Sequence, residues 1–392
     1  MSLLTPQRPS EGAHSHGAAT MVPDQSRAER TASFDVSAFP IPHGREEEWR
    51  FTPVGQLGAF FRDESTGACL DWDEQVPAGV TVTTMSVEQW RAAGLPMPAD
   101  RAAAVAAAHS GGVALVDVPA ELELTDPVRI TLSGNDSQLV HGHLWLRVGA
   151  HARATIILGH TGRADYSEFL TITAGDGCEV TVVTLQEWAD GSTHLGQHDV
   201  VVGRDARVRH IAVTLGGGLV RLNTNASYGG PGGSFDGYGV YFADAGQHLE
   251  HRLFVDHEAP HCRSNVEYKG ALQGETARTV WVGDVLIRAS AEGTDTYELN
   301  RNLLLTDGAR ADSVPNLEIE TGEIEGAGHA SATGRFDDQQ LFYLMARGIP
   351  EGEARRLVVR GFFAQVVARI GVPEVEEHLM AAIERELAGA QA

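Results

Sequence analysis

The chain contains 392 residues, of which 42% are hydrophobic and 21% are charged, and its formal net charge at pH 7 is −23. This composition is that of a soluble globular protein, and the length predicts two or three structural units unless the fold is elongated. The excess of acidic residues argues against binding to nucleic acid or to an anionic membrane surface, because both attract lysine and arginine.

Cysteine and lysine usage argue against several kinds of site. Cys69, Cys178 and Cys262 are far apart and form no C-x-x-C pair, which argues against a disulfide framework or a four-cysteine iron–sulfur site. Lys269 is the only lysine, and the phosphate-binding pattern G-x-x-x-x-G-K-[ST] is absent, so any ATP hydrolysis would belong to a partner. The N-terminus shows no signal-peptide pattern and no segment looks long enough to span a bilayer, which predicts a cytoplasmic protein.

The first part of the chain divides into a tail and a helical region. Residues 1–35 are rich in Ser, Ala, Gly and Pro without a sustained apolar period, which predicts a mobile tail. Residues 36–111 are predicted to form an N-terminal helical region. Within it, Ser86 and Gln89 match a capping box, and the alanine-rich segment 98–109 predicts a second helix that two glycines end.

Residues 112–334 have the pattern of strands throughout. Apolar and polar residues alternate in segments such as LWLRV, EVTVVTL and RTVWVGDVLI, with Gly, Asp or Asn turns between them. No helical pattern intervenes, which excludes a doubly wound sheet and leaves a sandwich, a barrel or a β-helix. The length of the region and its glycine-separated strands favour a β-helix, but the pattern alone establishes only an all-β core.

The last region, residues 335–392, changes to a helical period. Two apolar stripes recur at three-and-four spacing, and Gly371 and Pro373 separate them, which predicts two amphipathic helices. The first stripe contains Val359, Phe362, Phe363, Val366, Val367 and Ile370, and the second contains Val375, Leu379, Ile383 and Leu387. These helices are expected to cap the strands, to dock a partner, or to do both with different faces.

A single histidine stands out where the strands give way to helices. His329 lies in a run of small residues that would let a ligand or another backbone approach closely. Imidazole is a ligand for iron and a proton carrier near neutral pH, but a lone histidine is more often structural. Spacing alone therefore leaves the role of His329 open.

The stretch around this histidine, from Asp312 to Pro350, carries a long ordered pattern. In order it contains Pro315, Leu317, Glu318, Ile319, His329, Gly334, Arg335, Asp338, Phe342, Tyr343, Leu344, Arg347, Gly348 and Ile349. This pattern resembles the SufD members of the SufB/SufD family, which are subunits of the SufBCD complex for iron–sulfur cluster assembly. Residues 39–54, with Trp49 and Phe51 after three glutamates, resemble the N-terminal segment of the same family and predict a short helical turn that anchors the N-terminus.

The resemblance implies a fold and a role. The family is built on a right-handed parallel β-helix, here residues 112–334, flanked by N-terminal and C-terminal α-helical regions. A SufD-like member would be a non-catalytic scaffold that pairs with a SufB-like protein and binds the ABC-type ATPase SufC. No cofactor would be bound tightly by the chain itself, and a transient iron–sulfur cluster would form at the SufB interface.

The same resemblance assigns roles to individual residues. His329 matches a SufD histidine implicated in cluster formation, which makes it the cluster-assembly candidate and a candidate metal ligand. Many SufD sequences carry a cysteine two residues before that histidine, whereas this chain has Ala327, so sulfur ligands would have to come from SufB. The candidates for SufC binding in the C-terminal region are Phe342, Tyr343, Arg347, Phe362 and Phe363.

Two other histidine groups keep alternative functions open. The first group is His248, His251, Asp256, His257, His261 and Cys262. Its spacing matches no zinc motif, and of its histidines only His251 and His257 share a strand face. The second group is His141 and His143, which are expected to be solvent exposed. The alternatives are a stand-alone metal-binding β-protein that uses the first group, and a β-helix enzyme that acts on polysaccharide.

Overall fold

The computed structural model describes residues 30–336 and 338–389. Most of the tail predicted for residues 1–35 therefore lies outside the described residues. The described part of the chain forms sixteen β-strands and five α-helices. None of these helices has the length and apolar character needed to cross a membrane.

The elements follow one another in a simple order. Three 3-10 turns, Val36–Ala38, Val54–Gln56 and Gly58–Phe61, precede strands β1 (Asp71–Gln75) and β2 (Thr81–Met85) and helices α1 (Val87–Arg91) and α2 (Arg101–His109). The strands that follow are β3 (Val113–Val118), β4 (Val128–Val148), β5 (Arg153–Ala174), β6 (Glu179–Trp188), β7 (Thr193–Val202), β8 (Arg207–Thr214), β9 (Leu219–Tyr228), β10 (Ser234–Ala243), β11 (His248–His257), β12 (Arg263–Leu272), β13 (Arg278–Ile287), β14 (Asp295–Leu304), β15 (Arg310–Ile319) and β16 (Gly326–Arg335). The C-terminal helices are α3 (Asp338–Met345), α4 (Glu351–Val367) and α5 (Pro373–Gly389).

From β4 onward the strands form a parallel β-solenoid of about eight turns. Each turn adds one strand to a front sheet, which consists of the first half of β5 followed by β6, β8, β10, β12, β14 and β16. The other strand of the turn joins a back sheet, which consists of the second half of β5 followed by β7, β9, β11, β13 and β15. The expected parallel β-helix core is confirmed.

Alternate side chains of each strand point into the space between the two sheets, because side-chain direction has a period of two. In the back sheet, Ile172, Val200, Ala226 and Val255 lie beside one another on four successive strands, and all four are buried. Columns of this kind join into one apolar core that runs along the solenoid axis. Each turn is therefore stabilised mainly by its two neighbours.

The outer face of the front sheet is covered by the C-terminal helices. Ile211, Val213, Val240 and Phe242 point outward from the strands and pack against α4 and α5 in a second apolar cluster. Every residue of the two predicted stripes belongs to this cluster, with Phe362 at its partly buried margin. The prediction of two amphipathic helices is confirmed, and their apolar faces cap the chain's own strands.

The outer face of the back sheet is covered by the N-terminal region. Trp49 packs edge-on against Phe61 and lies under the guanidinium of Arg221, 3.9 Å from its ring centre. Thr52 donates a 2.8 Å hydrogen bond to the fully buried carboxylate of Glu250, which also pairs with Arg221. The segment predicted to anchor the N-terminus thus packs on the back sheet through the Trp49 ring and through the hydrogen bond of Thr52 to a buried ion pair.

Region 36–111 differs from the expected helical region in one respect. It contains two strands, β1 and β2, which pair antiparallel with β4 and β3 at the first turn of the solenoid. Their polar, largely exposed sequences gave little apolar alternation from which to predict them. The predicted capping box is present, because the Ser86 hydroxyl accepts from the Gln89 backbone N–H while the Gln89 side chain accepts from the Ser86 N–H.

The last turn is open in the described part of the chain. Strands β15 and β16 stand at the two ends of the sheet order, each paired on one side only. Helices α4 and α5 pack beside the strands, because α4 contacts β10 and β12 and both helices belong to the apolar cluster on the outer face of the front sheet. The open end therefore presents unpaired strand edges, which are sites for pairing with another chain.

Truncating a buried side chain between α4 and the front sheet should destabilise the whole chain. Phe363 is fully buried in this cluster, so Phe363→Ala is expected to lower the free energy of unfolding by about 3–5 kcal/mol through lost apolar burial and a cavity. The matched control is Phe342→Ala, because Phe342 is 73% exposed. Urea denaturation should show an unchanged midpoint for the control, and equal midpoints for both variants would contradict the packing described.

Candidate functional site

His329 lies on the last strand of the front sheet. Its register partner on the strand below is Glu298, so the two side chains leave the sheet on the same side, toward the solenoid interior. Because no further turn covers β16, His329 is exposed whereas Glu298 is only 1% exposed. The candidate histidine thus stands at the mouth of the solenoid, one strand above a buried carboxyl group.

The carboxyl group of Glu298 has no hydrogen-bond partner on either oxygen. It points toward Gly283 on the back sheet. If residue 283 carried a Cβ atom, that atom would lie 2.8 Å from Oε2 of Glu298. Burial, reinforced by the negative charge of Asp284, raises the pKa of Glu298 to about 8. Glu298 is therefore mainly a neutral acid at pH 7, which lowers but does not remove the desolvation cost.

A polar network continues the interior of the last turns beside Glu298. Tyr241 donates to the Asn302 side-chain oxygen at 2.7 Å, and Asn300 donates to the Tyr241 hydroxyl at 2.9 Å. Ser313 on β15 donates to the Asn300 side-chain oxygen at 2.7 Å, and Asn302 approaches Thr333 on β16 at 3.4 Å. The interior near the mouth is thus lined with amides and hydroxyls.

The surface around the mouth carries exposed apolar side chains. Tyr297 on β14 is 46% exposed and Ile319 at the end of β15 is 45% exposed. Ala327, two residues before His329, packs at the edge of the interior core, so no thiol lies at this position. Unpaired strand edges together with exposed apolar side chains are typical of a protein–protein contact.

The five residues predicted to bind SufC fall into three groups. Phe342 and Tyr343 on α3 are exposed, and the guanidinium of Arg347 stacks on the Tyr343 ring at 4.3 Å. Phe362 is partly buried and lies 5.6 Å from the ammonium group of Lys269. Phe363 is fully buried against the front sheet, so its prediction as a docking residue is wrong: the neighbouring positions 362 and 363 occupy different faces of α4.

The histidine group between residues 248 and 262 is not brought together. His248 lies beside Glu250 on the outer face, whereas His251 points inward and contacts Thr214 at 3.0 Å. His257 also points inward, where it contacts Ser264, and Cys262 lies in the following turn. The strand period places adjacent residues on opposite faces, so these side chains do not form a metal site in this structure.

His141 and His143 are buried rather than exposed, which corrects the expectation for this pair. They point outward from the back sheet, but the N-terminal region covers them. The ring centre of His143 lies 4.5 Å from that of Trp90 and 5.0 Å from that of Phe169. Burial lowers the pKa of His141 to about 4 and that of His143 to about 3. Both are neutral packing residues.

A buried histidine cluster inside the solenoid was missed by sequence reasoning, because its members come from different turns. His160 approaches the Leu185 carbonyl oxygen at 3.1 Å through one ring nitrogen and Glu168 at 3.2 Å through the other. His198 contacts the second oxygen of Glu168 at 2.9 Å. Burial alone would raise the pKa of Glu168, but its interactions with His160 and the neighbouring imidazoles hold it well below its usual range. Both ring nitrogens of His160 therefore lie against oxygen atoms, one of Leu185 and one of Glu168.

The geometry of this cluster favours hydrogen bonding over metal binding. Within the described residues, His160, Glu168 and His194 form the one group of three metal-capable side chains whose ligand atoms lie within 4.8 Å of one another. However, Trp188 donates to Nδ1 of His194 at 3.2 Å, which places the proton of neutral His194 on Nε2. That nitrogen is the one that would have to bind the ion, so the cluster is better explained as an interior ion pair with its hydrogen bonds.

The fold and the open end together define the class of protein. It is a β-solenoid with helices packed on both faces and one open end, without an assembled catalytic or metal-binding group at that end in the described residues. The family model for the SUF system FeS cluster assembly SufBD core domain matches residues 130–362. The chain belongs to the SufBD family of iron–sulfur cluster assembly proteins, which confirms the resemblance found in its sequence.

Several relatives support this membership. An iron–sulfur cluster assembly SufBD family protein of Mycobacterium tuberculosis is 50% identical over 371 residues, which cover 92% of this chain and 93% of that protein. The iron–sulfur cluster assembly protein SufD of Bacillus subtilis is 26% identical over 305 residues, covering 75% of this chain and 68% of that protein. The iron–sulfur cluster assembly protein SufD of Escherichia coli is 24% identical over 262 residues, which cover 66% of this chain and 62% of that protein.

The unpartnered carboxyl of Glu298 should lower the stability of the chain. Replacing it with an apolar side chain of similar size, Glu298→Leu, is expected to raise the free energy of unfolding by about 1–3 kcal/mol, because a buried polar group without hydrogen bonds is removed. Glu325→Leu is the control, since Glu325 is exposed and pairs with Arg263 at 3.2 Å. Urea denaturation measures both, and a destabilised Glu298→Leu would contradict the described burial.

Acid should destabilise the solenoid well above the range in which carboxylates titrate. Burial lowers the pKa of His210 and His251 to about 3 and that of His257 to about 4, from a usual value of 6.5. Their folded pKa values lie below the unfolded value, so below about pH 6.5 the unfolded chain binds protons first and the free energy of unfolding falls.

Urea midpoints at pH 7.5, 6.0 and 5.0 test this pH dependence. The midpoint should fall progressively over the three values in the wild-type chain. The control variant His329→Ala should show the same slope, because the exposed ring of His329 is not part of the buried set. Equal midpoints at the three pH values would show that these histidines are not buried in neutral form.

Proposed function

We propose that this chain is a SufD-like scaffold subunit for iron–sulfur cluster assembly, which pairs with a SufB-like solenoid and binds a SufC-like ATPase. The observation that carries the proposal is the open last turn, where the single-sided strands β15 and β16 lie beside exposed His329. The chain itself has a structural and positioning role. Its membership of the SufBD family supports this role, because proteins of that name belong to the SUF assembly system.

The strand edges support pairing with a second solenoid. An edge strand offers backbone N–H and C=O groups that a strand of another chain satisfies. A SufB-like partner presents a solenoid of its own, so edge-to-edge pairing would continue the ladder from one subunit into the other. Ile319 and Tyr297 would then be buried at the junction, which adds apolar area to the backbone hydrogen bonds.

The surface of α3 supports docking of the ATPase subunit. Phe342 and Tyr343 are large and exposed, and Arg347 is held on the Tyr343 ring, so the three form a preorganised aromatic and cationic patch. Residues of these types dominate the binding energy of many interfaces. The chain has no P-loop sequence, so ATP would be hydrolysed by the partner and this chain would transmit the resulting movement.

His329 would contact the growing cluster, which is the cargo of the complex and not a resident cofactor. Its imidazole suits iron, and its exposure at the mouth leaves it accessible from the partner side. Sulfur ligands would come from the partner, since Ala327 supplies none. All three cysteines of the chain are free thiols, which accords with work in a reducing cytoplasm.

Co-expression of the tagged chain with the SufB-like and SufC-like proteins of the same cell tests the proposal by pull-down. Ile319→Lys should lose the SufB-like protein, because a charge would be buried at the junction. Phe342→Ala with Tyr343→Ala should lose the ATPase and keep the SufB-like protein. His329→Ala should assemble normally and yield a complex without iron or acid-labile sulfide.

Point substitutions are preferable here to a truncation after Gly348. Truncation would remove α4 and α5 and uncover the front sheet, so loss of binding would follow from unfolding. The matched control is Ile41→Lys, an equally large change at a residue that is 63% exposed on the N-terminal segment, far along the chain from β15. If the wild-type chain captures neither partner, the scaffold role is wrong.

A further inference from the structure

The carboxyl of Glu298 is an exception among the buried carboxyl groups of the described residues. Buried carboxylates elsewhere in the chain have partners: Glu168 has imidazoles and Glu250 has Arg221, Arg252 and a hydroxyl. Glu298 has none on either oxygen, although it is only 1% exposed. A native chain rarely keeps such a group, since it costs roughly 1–3 kcal/mol, unless the group has a function that the isolated chain does not satisfy.

The surroundings of Glu298 pack closely around its carboxyl group, and the described residues offer it no hydrogen bond. Gly283 faces it from the back sheet, and a Cβ there would collide with both the Glu298 carboxyl and the ring of Trp281. The indole N–H of Trp281 is also buried without a partner. Asp284 lies close enough to act on Glu298 electrostatically, and its effect is repulsive. Among the described residues no cation and no hydrogen-bond donor is paired with Glu298, so a partner for its carboxyl group would have to come from outside these residues.

His329 lies beside Glu298 in the strand register, on the side that faces the open end of the solenoid. Neighbouring strands of a parallel sheet are about 4.8 Å apart, and residues in register project side by side. Glu298 and His329 are in register on β14 and β16, and β16 has no strand beyond it. An ion between the two side chains would therefore touch a carboxylate oxygen of Glu298 and a ring nitrogen of His329, with its outer side open to a partner.

We propose that Glu298 is the second protein ligand at the mouth, and that Glu298 and His329 form this chain's half of a site for a ferrous ion entering cluster assembly. The proposal rests on the proposed function in that the ion is the cargo of that assembly. Imidazole and carboxylate together are ligands that suit Fe²⁺, and the remaining positions belong to water or to the partner. When the ion binds, the neutral carboxyl group of Glu298 releases its proton to water through the open mouth.

Paramagnetic broadening of the His329 ring signal tests the ion site on the full chain by itself. The signal is identified by its loss in His329→Ala. Substoichiometric Mn²⁺, an oxygen- and nitrogen-binding probe for Fe²⁺, should broaden it in the wild type, and Fe²⁺ added without oxygen should compete with Mn²⁺. In Glu298→Gln the same broadening should require about tenfold more Mn²⁺ or more, because one of two protein ligands is lost.

Two further variants keep the result interpretable. Glu298→Leu should abolish the response while leaving the other histidine signals in place, so that loss of folding is excluded. Glu325→Gln should behave as the wild type, because Glu325 is an exposed carboxylate at the same end that already pairs with Arg263. Wild-type broadening in Glu298→Gln or Glu298→Leu would overturn the assignment of Glu298.

The outcomes also separate this inference from the scaffold role. If the pull-down fails but Mn²⁺ reaches His329 in a manner that depends on Glu298, the ion site stands and the assembly partners are wrong. If the complex forms and the response is independent of Glu298, the scaffold role stands and the ion site is wrong. In the assembled complex, Glu298→Gln should retain both partners and lower bound iron, as His329→Ala does.

Discussion

Parallel strand stacking is the constraint on which the rest of this molecule depends. In a solenoid, the backbone of each turn is satisfied only by the turns on either side, so every internal turn is fixed and the terminal turn is not. The first turn is closed by the antiparallel strands β1 and β2, whereas the last turn ends in two single-sided strands. The open end of the described chain is therefore a direct consequence of how its strands pair.

The two outer faces of the solenoid are closed by different chemistry. Apolar stripes of α4 and α5 cover the front sheet. The N-terminal region is held on the back sheet by aromatic rings, by the ion pair of Asp100 with Arg221 and by the hydrogen bond of Thr52 to Glu250. An apolar face is satisfied by area alone, but a buried charge needs a partner in one position. Because both faces are covered, large exposed apolar side chains lie at the open end, in Tyr297 and Ile319, and on α3, in Phe342 and Tyr343.

The interior combines an apolar core with polar groups whose partners come from other turns. Glu168 is paired with imidazoles from two further strand segments, the first half of β5 and β7, and Asn300 is bonded to Tyr241 and Ser313. Such groups fix the register of the turns, because a shift of one residue would leave each of them buried without a partner. Glu298 is buried to the same degree and has no such partner, and its place beneath His329 connects the interior with the mouth.

The sequence by itself determined the class of the core, the two C-terminal apolar stripes, the capping box at Ser86 and the family, because these depend on local period or on residue order. It also pointed to His329. Only the tertiary structure decided that Phe363 faces inward and that His141 and His143 are covered. The His160–Glu168 cluster joins residues from different strand segments, and Glu298 and His329 are neighbours only through the register of β14 and β16. The register between turns leaves no local pattern in the sequence, so neither arrangement was predictable from it.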